Sequence, residues 1–139
     1  IKQLDEIKNF KKLIHASFHH GKSLNILENI SSDLLESISL VGFSGQNFSI
    51  SKLKEFKNLR YIALNGIKKA DIDCELFTHL PSLSYLDLVS CFNLKNVNEL
   101  ANIKNLEYLI VLDCKRPFDN ATIDLLKNQN IPYIDIDFA

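Results

Sequence analysis

Leu83-Ser-Tyr-Leu86-Asp-Leu88-Val-Ser-Cys91 carries apolar residues at its first, fourth, sixth and ninth positions, with polar or aromatic residues at the third and fifth. The alternation across Leu86 and Leu88 has a period of two, the mark of a short β-strand with one buried face. The three-residue step from Leu83 to Leu86 is the bend that feeds the chain into the strand. Four other segments repeat the pattern: Leu35-Glu-Ser-Ile38-Ser-Leu40, Leu59-Arg-Tyr-Ile62-Ala-Leu64, Leu106-Glu-Tyr-Leu109-Ile-Val111 and Ile131-Pro-Tyr-Ile134-Asp-Ile136. Their first positions are 24, 24, 23 and 25 residues apart. A fixed period of this size indicates a solenoid, because no unit can bury its apolar face without a neighbour.

Between the strands, apolar residues recur at a spacing of three. Leu53, Phe56 and Leu59 form one row; Phe77, Leu80, Leu83 and Leu100, Ile103, Leu106 form two more. This spacing predicts a short helix or 3₁₀ turn with one side on the core. Asp73, Asn98 and Asp119 stand where helix N-caps are expected, and Pro81 prevents further helix. Each unit therefore reads as strand, turn, short helix and return.

The template L-x-x-L-x-L-x-x-N/C resembles the leucine-rich-repeat family. Cys91 and Cys114 occupy its ninth position, and Leu94 follows Cys91 at the spacing of cysteine-containing members. Phe43, Ile67 and Ala139 hold that position in the other units, so a regular asparagine or cysteine ladder is absent and irregular turns are expected. The resemblance implies an α/β solenoid: a curved parallel sheet of five or six short strands, with short helices or turns on the convex side and partners bound on the concave face. The expected organisation is one leucine-rich-repeat domain over 1–139, with five repeats in 31–139. Residues 1–30 read in two ways. Ile7-Lys-Asn-Phe10-Lys-Lys-Leu13 mirrors the strand entries at Phe56 and Ile103, which predicts a sixth, degenerate unit starting at Phe10, although it places His15 at a buried position. Alternatively, Leu4, Ile7, Phe10, Ile14 and Phe18 form an amphipathic helix capping the open end.

Composition narrows the function. With 46% hydrophobic residues, 24% charged residues and a formal net charge of −1, the chain lacks the basic excess expected of nucleic-acid or membrane-surface binders. No apolar run reaches the roughly 18 residues that span a bilayer. The three cysteines are too few and too scattered for a disulfide framework, and no C-x-x-C occurs, so a reducing, cytoplasmic setting is expected without zinc. Cys91 and Cys114 read as small buried residues of the turn rather than as a disulfide. His15 and His19, spaced i, i+4, lack the H-E-x-x-H pattern and further ligands. No G-x-S-x-G and no phosphate-cradling glycine loop is present. A non-catalytic protein without cofactor or metal is expected.

The exposed strand positions carry the functional signal. The third position reads Ser37, Tyr61, Tyr85, Tyr108 and Tyr133, which accounts for all four tyrosines of the chain. Equivalent side chains on neighbouring strands lie about 4.8 Å apart, so a tyrosine row on the open sheet face is predicted. Such a row strengthens strand pairing and also supplies rigid contact area for a partner. Ile110 and Leu112 set apolar groups beside it, and Asp87 and Asp135 make the C-terminal half acidic. Tyr61, Tyr85, Asp87, Tyr108, Ile110, Leu112, Tyr133 and Asp135 are therefore the expected partner-binding residues. The expected partner is a protein with a basic surface, engaged by a monomer acting as an adaptor, an effector or an inhibitor of the immunity type. The competing reading is a structural fragment of a larger repeat protein. An enzyme comes third.

Overall fold

The computed structural model describes residues 10–21, 26–45, 48–115 and 118–137. Six strands form one parallel sheet: β1 (His15–His19), β2 (Ser37–Val41), β3 (Tyr61–Asn65), β5 (Tyr85–Val89), β7 (Tyr108–Leu112) and β8 (Tyr133–Ile136), side by side in that order. Two short strands, β4 (Ile72–Asp73) and β6 (Leu94–Lys95), pair separately. The outer side carries 3₁₀ turns at Leu27–Asn29, Ser51–Glu55 and Val97–Asn102, and two α-helices, α1 (Glu75–Thr78) and α2 (Asn120–Lys127).

The sheet is in register by repeat position. Ser37, Tyr61, Tyr85, Tyr108 and Tyr133 are successive cross-strand partners, and Ile38, Ile62, Leu86, Leu109 and Ile134 form the row behind them. One carbonyl per unit anchors the next strand's entry. The N–H groups of Glu36 and Ser37 both donate to Ile14 O, those of Arg60 and Tyr61 to Glu36 O, those of Ser84 and Tyr85 to Arg60 O, and those of Glu107 and Tyr108 to Ser84 O. At the exit, the residue after each of the sheet's first five strands adopts positive φ: His20 58°, Gly42 71°, Gly66 69°, Ser90 51° and Asp113 52°. That left-handed turn swings the chain off the sheet, and at Gly66 it costs no side-chain clash.

The core lies between the sheet and the outer turns. Ile38, Leu40, Ile62, Leu64, Leu86, Leu88, Leu109 and Val111 are all 0% exposed. Leu27, Leu53, Phe77, Leu100 and Leu126 come in from the outer elements and are at most 1% exposed. Full burial of one such side chain is worth about 1.5–3 kcal/mol. Asn58 Nδ2 donates to Asp33 O and Asn105 Nδ2 to Pro81 O, while Asn93 Nδ2 donates to Lys69 O, so amide side chains lace adjacent units together.

The N-terminal segment departs from the expected register. His15 pairs with Ser37, so Leu13, not Phe10, begins the unit, and the strand is offset by three residues. Phe10 is 57% exposed. Leu13, Ala16 and Phe18 pack on the core in its place. The shift moves His15 from a buried to an exposed position, which removes the cost of burying an imidazole. A helix through Phe18 is excluded by β1, while Leu4 and Ile7 of that alternative lie outside the described residues, as does Ala139. Of the expected caps, Asp119 caps α2, its Oδ1 accepting from Thr122 N–H at 2.8 Å; at α1 the N-cap is Cys74, and Asp73, one residue earlier, accepts from Glu75 N–H on Oδ1 at 3.1 Å. Asn98 does not cap. The turn begins at Val97 after Asn96 in the left-handed region, and Asn98 Nδ2 donates to Glu99 Oε1.

Candidate interaction face

Along each strand of the sheet, positions three, five and seven point away from the core. They read His15, Ser17, His19 on β1; Ser37, Ser39, Val41 on β2; Tyr61, Ala63, Asn65 on β3; Tyr85, Asp87, Val89 on β5; Tyr108, Ile110, Leu112 on β7; and Tyr133, Asp135, Asp137 at β8. None of the chain's 16 Lys and Arg residues is among them. The described lysines lie outside these six strands. Lys68 and Lys115, for example, flank the Phe92 ring at 5.4 and 4.8 Å from its centroid.

The tyrosines form a continuous ladder. Tyr61 and Tyr85 stack with centroids 4.5 Å apart and planes at 20°. Tyr85 and Tyr108 are 5.5 Å apart at 32°, and Tyr108 and Tyr133 5.7 Å apart at 38°. Tyr61 and Tyr85 are half-buried, whereas Tyr108 and Tyr133 are 44% and 46% exposed. Burial, and then the nearby Asp87 carboxylate, push the Tyr61 and Tyr85 phenols above their ordinary range, so both stay protonated donors at neutral pH.

Asp87 occupies the middle of the fifth-position row. Its neighbours across the sheet are Ala63 and Ile110, neither of which has a side-chain donor. Its Oδ1 is buried without a hydrogen-bond partner, and desolvation raises its pKa. Val89, Ile110 and Leu112 are half-buried around the ladder, and Asp135 is exposed at the C-terminal end. Ala63 is 8% exposed, because its short side chain lies in a row with Ser39 and Asp87 beside Tyr61. The structure thus brings Tyr61, Tyr85, Asp87, Tyr108, Ile110, Leu112, Tyr133 and Asp135 onto one surface.

The other end of this surface is polar. Ser17 Oγ lies 3.0 Å from His19 Nε2, a pairing hidden in the sequence until the register of β1 is known. His15 and His19 share the open face of a strand rather than one side of a helix. Lys11 and Lys12 lie before β1, and Arg60 just before β3, outside the outward strand positions. Among the described residues no group of three or more His, Cys, Asp or Glu side chains is placed to hold a metal ion, and no helix is long and apolar enough to cross a membrane.

All three cysteines are buried and free. Cys91 Sγ donates to Leu64 O, and Cys114 Sγ to Leu88 O and Leu112 O, so each thiol ties a turn to the strands. Burial, then the Asp73 carboxylate and Cys114, push the Cys74 thiol up to about 12. A thiol so seldom ionised is a poor nucleophile.

A parallel sheet built from one strand per 22–25-residue unit, with short helices and 3₁₀ turns on its outer side, is the leucine-rich-repeat fold. Two solved structures share it. A leucine-rich-repeat protein of Leptospira interrogans matches with a TM-score of 0.68 at 20% identity, over 92% of this chain and 33% of that one. An internalin of Listeria monocytogenes matches with a TM-score of 0.50 at 15% identity, over 97% of this chain and 51% of that one. The chain thus spans a third of the first protein and about half of the second. No protein-family model and no curated protein matches the sequence.

Proposed function

We propose that this chain is a non-catalytic protein-interaction module that engages a protein partner through the concave sheet face. The observation that carries the reading is the tyrosine ladder: four rings in register, two of them more than two-fifths exposed, with half-buried apolar residues alongside. Tyr is enriched at binding hot spots because it offers large contact area at little entropic cost. The absence of Lys and Arg from the face, together with Asp87, Asp135 and Asp137, favours a partner with a basic surface. Adaptor, effector and inhibitor of the immunity type are the roles this architecture fits. Three free, buried thiols support a cytoplasmic setting.

A second reading is favoured by the C-terminal edge. Ile131, Ile134 and Ile136 are only half-buried there, and Leu125 is 41% exposed, which fits a surface continued by further repeats of a longer chain. The two readings separate experimentally. Replacing Tyr85 and Tyr108 together by Ala should abolish affinity capture from source lysate, with the fold retained by circular dichroism. Capture of an unchanged set of proteins by this variant would defeat the face reading. Concentration-dependent self-association, lost when a following repeat is appended, would support the second.

A further inference from the structure

We propose that Asp87 is the anchor of this face, its half-buried carboxylate, unpaired among the described residues, receiving a lysine or arginine side chain of the protein partner. The proposal rests on the reading of the concave face as the binding surface and names the chemistry at its centre.

Three independent observations converge on Asp87. The first is the missing donor. A buried carboxylate oxygen without a hydrogen bond is disfavoured, and proteins seldom leave one so. Asp87 Oδ1 is in that state because its cross-strand neighbours are Ala63 and Ile110, while Tyr85 and Val89 flank it along its own strand two positions apart on the same face. The second is the charge pattern. Eighteen positions point outward from the six strands; they hold Asp87, Asp135 and Asp137 and no Lys or Arg, although the chain has 16 of these. Among the described residues, no cation pairs with Asp87. The third is the aromatic surround. Tyr61 and Tyr85, stacked at 4.5 Å, lie close enough for the Asp87 charge to act on their phenols. A carboxylate beside an aromatic ladder is the setting in which a guanidinium or ammonium gains both a charge-assisted hydrogen bond and a cation–π contact. Asp135 differs. It is exposed at the edge strand, where solvent already hydrates it and where a charge guards the sheet edge.

A carboxylate with a structural role and one reserved for a partner make opposite predictions for the isolated protein. A structural Asp87 would lose stability on replacement by Asn. A reserved one would gain it or hold level, since Asn removes a charge that nothing among the described residues pairs.

The test uses the whole chain and an acetylated, amidated hexa-arginine peptide, with hexa-glutamate as control. The chain has no Trp and its four Tyr residues all lie in the ladder, so intrinsic fluorescence reports on the face directly. Hexa-arginine is expected to perturb the fluorescence saturably and hexa-glutamate to leave it unchanged. Asp87→Asn should weaken hexa-arginine binding at least tenfold and leave the urea midpoint unchanged or higher, whereas Asp135→Asn should weaken it less than threefold. Equal losses for the two variants, or a lower urea midpoint for Asp87→Asn, would overturn the anchor. If Asp87→Asn binds like the wild type while the Tyr85, Tyr108 double variant still loses its captured proteins, the anchor falls and the binding face stands. If that double variant also captures as before, the face falls with it.

Discussion

The middle of the sheet and its two ends are built from the same unit, yet they use it differently. In β3, β5 and β7 the two inward residues of each strand are 0% exposed. In β8 the equivalent Ile134 and Ile136 are half-buried, and in β1 a half-buried Ala16 stands where the middle strands have Ile or Leu. The outward face changes in parallel, from His15, Ser17 and His19 at one end to tyrosines, isoleucine and aspartate at the other. A repeat position is thus enforced by having neighbours on both sides. At β1 and β8, which pair with one strand each among the described residues, the inward positions are less buried and the pattern drifts.

The largest expected effect follows directly. Leu86→Ala removes a side chain packed on both sides and should cost about 2–5 kcal/mol. Ile134→Ala, at the same repeat position on the edge, should cost about 1–2 kcal/mol, since part of the side chain is already in water. Urea unfolding of the two variants decides it. Equal costs would break the contrast between middle and edge.

The next effect concerns how the N-terminal unit fits its neighbour. A Cβ at Gly21 would lie 2.2 Å from Phe43 Cε1, in a ring that is 1% exposed. Gly21→Ala should therefore cost about 1–3 kcal/mol as overpacking. Phe43→Leu in the same molecule should recover part of that loss, which a double-mutant cycle detects as coupling. Gly66→Ala has room, with nothing nearer than 3.5 Å, and pays only for φ +69°, about 1–2 kcal/mol. No rescue by a neighbouring substitution is expected there.

Asp87 gives a smaller, pH-dependent effect in the middle of the face. Burial raises its folded pKa above the unfolded value near 3.9. The folded state then binds the proton more tightly, so its stabilisation is full below the unfolded pKa and is lost as pH rises through the folded one. Wild type and Asp87→Asn should unfold at similar urea concentrations near pH 3. The variant should gain on the wild type as pH rises towards neutrality. A gap that shrinks over the same range would show that Asp87 has a stabilising partner.

These contrasts also explain what was legible in the sequence. The units from Leu35 to Ile136 were readable because strands and turns bury residues at fixed positions, and that demand writes itself as a 23–25-residue period. The tyrosine row followed from the register alone, since parallel strands align like with like. The start of β1 was not readable. The Ile7 to Leu13 segment copies the wording of later strand entries, but the structure slips by three residues to put Leu13 and Phe18 on the core and His15 in solvent. Burial cost outweighed motif similarity. The Ser17–His19 contact depends on that slip and was hidden with it. The unpaired state of Asp87 was hidden for another reason: it depends on the absence of a donor at the two directly facing positions, Ala63 and Ile110, and no local pattern records an absence.

The smallest effects lie along the ladder, where stacking rather than core volume is at stake. Tyr85 has rings on both sides, at 4.5 and 5.5 Å, whereas Tyr133 has one, at 5.7 Å. With about 0.2–1 kcal/mol per cross-strand pair, Tyr85→Ala should cost roughly twice what Tyr133→Ala costs. The converse change is Ser37→Tyr, which extends the ladder onto β2 beside Tyr61 and towards His15. It should add about 0.2–1 kcal/mol to stability, read as a higher melting temperature, because the backbone there is already a strand in register. If the added ring stabilises β2 as Tyr85 stabilises β5, the polar end of the face lacks tyrosines for reasons other than folding, and its serines and histidines belong to what the face contacts. If it destabilises, the packing beside β1 excludes a ring, and the difference between the two ends comes from structure alone.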